Sequence, residues 1–523
     1  MDIMTRLTVP IAAKDLDEVK GQIKAAIAAG AEMLELRIDY LESLTVDLVQ
    51  KLVSDYKDTR NKRPPIIVTC RDKRQGGAIE YANSLRIDVL IAALKAGAEF
   101  IDLEYENFRS MDNQEKIRLA LSHSSKGRLI LSAHDFDGKF ADINKLYRGI
   151  STICPGCIPK LVYKANHISD CFDAFDLLHK TSSERIVFCM GQAGIISRIL
   201  AKKLGSFVTF ASVDENATAP GQLNIKETKG LYRYDYIMED TELFGVIADP
   251  VGHSMSPAIH NASFAEMKMN RLYLPLLVQG QQKEFDKFLN DIILRKWLNF
   301  RGFSITIPHK HNALSYAKKN QGVVEPLADK IGAVNTLIIR SDGKVKAYNT
   351  DYIASLDAII SGMKIKKADL KEMPVTVIGA GGVARAIVAG LSDTGAKITI
   401  YNRTVEKVEK LAREFKCEYA PLDELSEINA KLLINCTSIG MHPNVETTPV
   451  PKELLKRGTA VFDTVYNPVE TLLLKEAKKK RTKRIDGVSM FVNQAMAQFE
   501  LFTGSKGDAK LMRETVISSL GPE

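Results

Sequence analysis

In the stretch VTVIGAGGVARAIVAGL, an apolar run leads into Gly379, Ala380, Gly381, Gly382, Val383 and Ala384 and then into an amphipathic helix pattern. A Gly-x-Gly-x-x-Ala turn between a strand and a helix lets the backbone approach a pyrophosphate, and the helix N-terminus attracts its negative charge. In the next strand, KITIYNRT, Asn402 stands where a carboxylate would select NAD, Arg403 and Thr404 follow, and Lys407 lies one turn on. Basic groups at that place favour a ribose 2′-phosphate, so the spacing predicts NADP(H) as cofactor. Upstream, SITIPHK sets Ser304 and Thr306 on one strand face, with Lys310 just past a proline that ends the strand. The segment IPKLVYKAN, residues 158–166, is otherwise apolar but carries Lys160 and Lys164 on one face. An edge strand whose lysines reach solvent accounts for that pattern as well as a pocket amine does.

These residues need elements to hold them. Up to about residue 228, strand-like runs (LTVPIAA, MLELRIDYL, IIVTCRD, FIDLEYE, RLILSAHDF, IPKLVYKAN, RIVFCMG, FVTFASVD) alternate with helical patterns such as SLRIDVLIAALKAGA. Such alternation forces parallel pairing and predicts a (β/α)8 barrel, a doubly wound open sheet being the alternative. Strand side chains alternate, so Glu35, Arg37 and Asp39 share one face of ELRID, opposite Leu34, Leu36 and Ile38. A barrel gathers the carboxyl ends of its strands at one mouth, where Arg71, His134, Lys160 and Arg198 would meet those residues. The polar connector KETKGLYRYDYIMEDTE then precedes a new strand at LFGVIADP. The expected division is a barrel at 1–228, a linker at 229–242, an α/β substrate domain at 243–350 completed by 486–523, and a Rossmann domain at 351–485.

Composition sets limits. A chain of 523 residues implies several domains. The 45 % apolar and 26 % charged fractions are those of an ordinary globular protein, and no run approaches the ~18 apolar residues of a membrane span. The start enters a strand almost at once, so neither a signal nor a transit peptide is expected. Seven scattered cysteines read as reduced thiols of a cytoplasmic protein, or a plastid one if a transit peptide was removed. The net charge of +8 is mild, and KEAKKKRTKR at 475–484 reads as a solvated helix end, so neither membrane nor nucleic acid is an expected partner. Cys154, Cys157, His167 and Cys171 read C-x2-C-x9-H-x3-C, a pattern open to a zinc site or, from CPGC, a redox pair. A strand between the second and third members separates them by ~3.3 Å per residue, so no metal is expected and loop thiols are.

The fragments ELRID, TCR…GG, SAHDF, PKLV, GIISR and APGQ, in this order, resemble the type I 3-dehydroquinate dehydratases. The resemblance implies that Lys160 forms a Schiff base with a substrate ketone, that His134 moves the protons, and that Glu35 orients His134. It also implies that Arg37, Arg71, Arg198, Thr218 and Gln222 bind the substrate. Two residues depart from the family pattern: Gln75 stands where glutamate is usual, and Thr218 where serine is usual. Gln75 keeps hydrogen bonding but loses the charge.

From about residue 243, HSMSP, SITIPHK, AVNT, NTD, GAGGVARA, NRT and FVNQA resemble the shikimate dehydrogenases. That resemblance makes Lys310 and Asp351 the catalytic pair and assigns the substrate carboxylate to Ser254 and Ser256. Ser304, Thr306, Asn335 and Gln494, with Tyr466, would hold hydroxyls and the lysine. Ser304 replaces a usual asparagine, and Ser256 favours shikimate over quinate. In this order the halves resemble the bifunctional enzymes that convert 3-dehydroquinate to 3-dehydroshikimate and then reduce it to shikimate with NADPH. A dehydrogenase with an inert or metabolite-sensing barrel is the alternative.

Overall fold

A computed structural model describes residues 4–57, 63–213, 221–252, 254–426 and 428–520. Internal packing divides the chain into two compact units, one running to Thr241 with Leu276–Gln279, the other holding Glu242–Pro275 and the chain from Gly280.

The first unit has eight strands, β1 (Arg6–Ile11), β2 (Met33–Arg37), β3 (Ile66–Thr69), β4 (Phe100–Glu104), β5 (Arg128–Asp135), β6 (Ile158–Lys164), β7 (Ile186–Met190) and β8 (Val208–Phe210). They pair in parallel in the order β7-β6-β5-β4-β3-β2-β1-β8. The Phe207 amide donates to the Arg185 carbonyl at 2.8 Å, joining the starts of β8 and β7, so the sheet curls into a barrel rather than opening out. Helices carry the chain back between strands. That at Leu16–Ala28 begins where the Asp15 carboxylate accepts from the amides of Asp17 and Glu18.

Period-two alternation fills the interior in layers. Met33, Ile67, Phe100, Ile130, Ile158 and Ile186 pack as one buried apolar cluster. Two residues further along the same strands stand Glu35, Thr69, Asp102, Ser132 and Lys160, all buried. The floor is therefore apolar and the layer above it polar, nearer the carboxyl ends of the strands. The stretch after β8 packs on this unit, with the buried Tyr234 hydroxyl donating to the Thr5 carbonyl at 2.8 Å.

The second unit holds two sheets. One is mixed, with β9 (Glu242–Ala248), β10 (Arg271–Leu277), β11 (Phe300–Ile305), β12 (Val323–Val324), β13 (Thr336–Ile339) and β14 (Val345–Tyr348) in the order β10-β9-β11-β13-β14-β12. The other is parallel, with β15 (Pro374–Ile378), β16 (Lys397–Asn402), β17 (Glu418–Pro421), β18 (Leu432–Asn435), β19 (Ala460–Asp463) and β20 (Arg484–Ile485) in the order β17-β16-β15-β18-β19-β20. Its strand order reverses between β15 and β18, which opens a crevice at their carboxyl ends. The 17-residue helix Gly487–Thr503 leaves β20 and packs its buried face with the cluster around Phe244, Phe264 and Tyr273 of the mixed sheet's side.

Two strands stop earlier than their composition suggests. β2 ends at Arg37, because Ile38–Tyr40 turns into a short 3₁₀ segment that lets Asp39 reach back to the Arg37 guanidinium. β11 ends at Ile305, leaving Thr306 in the loop before Lys310. Among the described residues, no helix is long and apolar enough to cross a membrane.

Candidate active sites

Lys160 and Lys164 share a strand face, yet their surroundings differ. Lys164 ends β6 and is exposed, whereas Lys160 is 4 % exposed. The Lys160 ammonium donates to Asp102 Oδ2 at 2.8 Å and to Glu35 Oε1 at 3.3 Å, and lies 4.9 Å from the centre of the Phe210 ring. Arg71 pairs with Asp102 at 2.9 Å and Glu104 at 3.0 Å, and Ser132 bridges them, accepting from Arg71 at 2.6 Å and donating to Asp102 at 2.6 Å. Burial pushes the Asp102 carboxyl up, but Arg71 and Lys160 more than offset it and hold the group well below the usual carboxylate range. Asp102, Glu104 and Ser132 were not anticipated, although two carboxylates at period two in FIDLE could have pointed to them.

Lys160 and His134 line one cavity of about 100 Å³ together with Glu35, Arg37, Arg71, Gln75, Arg198 and Gln222. Burial pushes the His134 imidazole well below its ordinary pKa, and the positive charges of Arg71 and Lys160 push the same way. The imidazole is neutral as a result. Its Nδ1 lies 3.1 Å from Gln75 Oε1. That oxygen only accepts, so Nδ1 carries the proton and Nε2 is left to take one. This corrects the expected orienting partner: Glu35 accepts instead from Lys160 and from the Thr69 hydroxyl, the latter at 2.9 Å.

The arginines differ in what they have left to offer. Arg37 makes two bonds to Asp39, at 2.9 and 2.8 Å, and a third to the Gly76 carbonyl at 3.3 Å. Arg198, in the short helix Ile195–Ile199, is 4 % exposed, and its Nε has no hydrogen-bond partner among the described residues. Burial lowers its pKa to about 10, and its guanidinium carbon lies 4.5 Å from the centre of the Phe188 ring. A buried guanidinium facing a cavity with an unsatisfied donor suits an anionic guest. Thr218 lies outside the described residues.

The second unit contains a cavity of about 430 Å³ lined by Ser254, Ser256, Ser304, Thr306, Lys310, Asn335, Asp351, Tyr466, Gln494 and Val383. Lys310 opens the helix Lys310–Lys319, and its ammonium donates to Asp351 Oδ2 at 2.5 Å. Asp351 sits in the first turn of the helix Thr350–Met363, which Asn349 caps by accepting from the Asp351 amide. Asn335 donates to the other oxygen, Asp351 Oδ1, at 2.9 Å, so the carboxylate is gripped from two sides. Asn335 thus reaches the lysine through the aspartate rather than directly.

Ser304 is buried, accepting from the Tyr273 hydroxyl at 2.5 Å and donating to Gln498 at 2.7 Å. Gln498 also donates to the Asn335 carbonyl at 3.2 Å and to Thr336 Oγ1 at 3.1 Å. Tyr273, which reaches the cavity only through Ser304, and Gln498, which lines it, were missed, since nothing in their local sequence marks them as partners of Ser304. The Ser256 amide donates to Ser254 Oγ at 3.3 Å. Tyr466 stacks on Phe491 with ring centres 4.7 Å apart.

The glycine turn follows β15. Gly379 has φ 109°, and a Cβ there would meet Thr437 and the Cys436 carbonyl at 3.0 and 3.1 Å. Only glycine suits such a position. A Cβ at Gly381 or Gly382 would meet nothing within 4 Å, so the backbone at the start of the helix Gly382–Asp393 is open to approach. Ala380 is half-buried, Val383 reaches the cavity described above, and Ala384 is fully buried in the first turn of the helix. Asn402 ends β16 with its amide donating to the Thr404 carbonyl at 2.9 Å, and Arg403, Thr404 and Lys407 are exposed beside it. An open helix N-terminus with basic side chains at the next strand fits a dinucleotide bearing an extra phosphate.

Four family models match the chain: type I 3-dehydroquinase at residues 7–239, the shikimate dehydrogenase substrate binding domain at 246–337, shikimate/quinate 5-dehydrogenase at 361–463, and the shikimate 5′-dehydrogenase C-terminal domain at 487–517. The chain is 36 % identical over 516 residues to a chloroplastic bifunctional 3-dehydroquinate dehydratase/shikimate dehydrogenase of Arabidopsis thaliana, covering 95 % of this chain and 81 % of that protein. It is 39 % identical over 287 residues to a shikimate dehydrogenase (NADP⁺) of Methanosarcina acetivorans, covering 53 % of this chain and 98 % of that protein. A solved shikimate dehydrogenase in complex with NADP⁺ matches with a TM-score of 0.50 and 34 % identity, covering 55 % of this chain and 98 % of that one.

Proposed function

The chain belongs to the family of bifunctional 3-dehydroquinate dehydratase/shikimate dehydrogenases, and from that premise we propose how its own residues divide the two reactions. The barrel dehydrates 3-dehydroquinate and the second unit reduces 3-dehydroshikimate to shikimate, with NADP(H) as cofactor.

In the barrel, the Lys160 amine adds to the substrate ketone and water leaves, giving a protonated imine. His134 Nε2 takes a proton from the adjacent carbon, and the electron pair of that C–H bond moves toward the iminium nitrogen to form an enamine. The enamine then expels the hydroxyl one carbon further on, which leaves as water with the proton held on His134. Hydrolysis of the remaining imine frees the product and Lys160. Arg198 and Arg37 bind the substrate's carboxylate and hydroxyls, and Glu35 and Asp102 hold Lys160 in place. Arg71, with Gln222 and Thr218, completes the substrate set. The observation that supports this reading best is the pairing, in one cavity, of a buried lysine and a histidine kept neutral by its surroundings.

In the second unit, Ser254 and Ser256 take the substrate carboxylate, while Ser304, Thr306, Gln494 and Tyr466 take its hydroxyls. Gly379 through Ala384 hold the pyrophosphate, and Asn402, Arg403, Thr404 and Lys407 the 2′-phosphate. The bound NADPH supplies a hydride. Lys310 gives a proton to the oxygen that gains charge as the ketone is reduced, with Asp351 and Asn335 fixing where that ammonium points.

Seven cysteines, all free, support a reducing compartment such as the cytoplasm. The test of the barrel assignment is intact mass after mixing protein with 3-dehydroquinate and borohydride. The expected result is an adduct on the parent chain and none on Lys160→Ala. An adduct that persists in the variant would remove Lys160 from the role.

A further inference from the structure

The C-P-G-C segment ahead of β6 serves neither reaction. Residues 154–157 form a hydrogen-bonded reverse turn in which the Cys157 amide donates to the Cys154 carbonyl at 3.2 Å. Pro155 fills its second position and Gly156 its third, with φ 86°. Proline's fixed φ suits the second place of a type II turn, and glycine takes a positive φ at the third without strain. A turn of this kind keeps its first and fourth Cα atoms within about 7 Å, and disulfides span about 4.4–6.8 Å. Backbone geometry alone therefore brings the two Cα atoms within the span that a disulfide bridges.

The side chains agree. The neighbouring Cys157 thiol lowers the Cys154 pKa against the opposing effect of burial, and the Arg118 charge adds to that lowering. Cys154, with burial, raises the Cys157 pKa. One thiol is thus prepared to attack and the other holds its proton in reserve. Both are partly exposed. Beside them lies a cavity of about 300 Å³ whose lining includes Arg128, Glu184, Tyr147, Ser151 and Ser183, so it offers charges of both signs and hydroxyls to a small guest. His167 and Cys171 follow β6, and among the described residues no group of three or more His, Cys, Asp or Glu side chains could hold a metal ion.

We propose that Cys154 and Cys157 form a redox-active pair that exchanges with a charged low-molecular-weight disulfide. The Cys154 thiolate attacks one sulfur of that disulfide, forming a mixed disulfide and releasing one small thiolate. The Cys157 thiol then gives up its proton and attacks Cys154 Sγ, closing the protein disulfide and releasing the second small thiol. Two protein thiols lose two electrons, and the small disulfide gains them. The matching thiol in excess reverses both steps.

The test incubates the full chain in glutathione buffers of graded disulfide-to-thiol ratio, quenches with acid, alkylates, and maps peptides by mass. The peptide holding both cysteines should lose the mass of two hydrogens with a saturable dependence on the ratio, and dithiothreitol should restore it. Cys157→Ser should stop at a glutathione adduct on Cys154, and Cys154→Ser should leave Cys157 unmodified. Gly156→Ala, which strains the turn while keeping both thiols, should shift the dependence toward more oxidising buffer. Full alkylation of both thiols at every ratio, or stable adducts on both with no internal bond, would overturn the proposal.

Discussion

Replacing Gln75 by glutamate puts a negative charge where an amide oxygen now meets His134 Nδ1 at 3.1 Å. Unit charges about 4 Å apart interact by about 4 kcal/mol at an effective dielectric constant near 20. At about 1.4 kcal/mol per pKa unit, that corresponds to about three units. Arg71, Lys160 and Arg37 already act on the imidazole and would share the new carboxylate's field, which brings the expected rise to about one or two units. The sign is definite: a carboxylate favours the imidazolium, so the pKa climbs from its depressed value. His134 acts as a base only when neutral, so the acidic limb of kcat/KM for dehydration should move up by that amount. The assay is the absorbance of the conjugated product across a pH series for the parent chain and Gln75→Glu. The dehydrogenase rate measured on the same samples serves as a control and should keep its profile. An acidic limb that stays in place in Gln75→Glu would refute the assignment of His134 as the titrating base, or its coupling to residue 75.

Other expectations follow from the second unit. Burial raises the Asp463 carboxyl from its ordinary 3.8 to about 6. The folded state therefore binds the extra proton, and its contribution to stability is full below about pH 4 and lost as pH rises through 6, about 3 kcal/mol in all. Asp463→Asn should flatten that part of the stability profile in urea titrations, and an unchanged slope would count against it. Arg403→Ala should lower kcat/KM for NADPH by about 10–100-fold while leaving the NADH rate nearly unchanged, since a charge-assisted bond contributes about 1.5–3 kcal/mol. An equal fall with both cofactors would separate Arg403 from the 2′-phosphate. Gln498→Ala leaves Ser304, Thr336 and the Asn335 carbonyl without a shared partner. It should destabilise the second unit by about 1–3 kcal/mol in urea and lower the reduction rate, with dehydration unaffected.

What the sequence shows clearly here is whatever repeats or breaks a period. Eight strand-and-helix units announce the barrel, and glycines between an apolar strand and a helix announce the dinucleotide turn. Periodicity could not separate Lys160 from Lys164, because both lie on one face; height within the barrel separates them, one above the apolar floor and the other at the rim. Nor could it find Gln498, which meets Ser304 across 194 residues of chain. His134 was legible as a candidate base, but its partner was not. Glu35 faces the same interior as His134 by strand counting, whereas Gln75 reaches the ring from the end of a short 3₁₀ segment after β3, whose course no period dictates.

Gln498 has a consequence for the order in which the molecule comes into being. The last barrel residue lining the first cavity is Gln222, and that unit's main run ends at Thr241, whereas the Lys310 cavity depends on Gln494 and Gln498, near the end of a 523-residue chain. During synthesis, every residue lining the first cavity is made while more than half of the polypeptide is still to come. The Ser304 and Asn335 network must wait for the closing helix to emerge. A chain stalled between the two thus holds every residue of the first cavity and lacks those that complete the second.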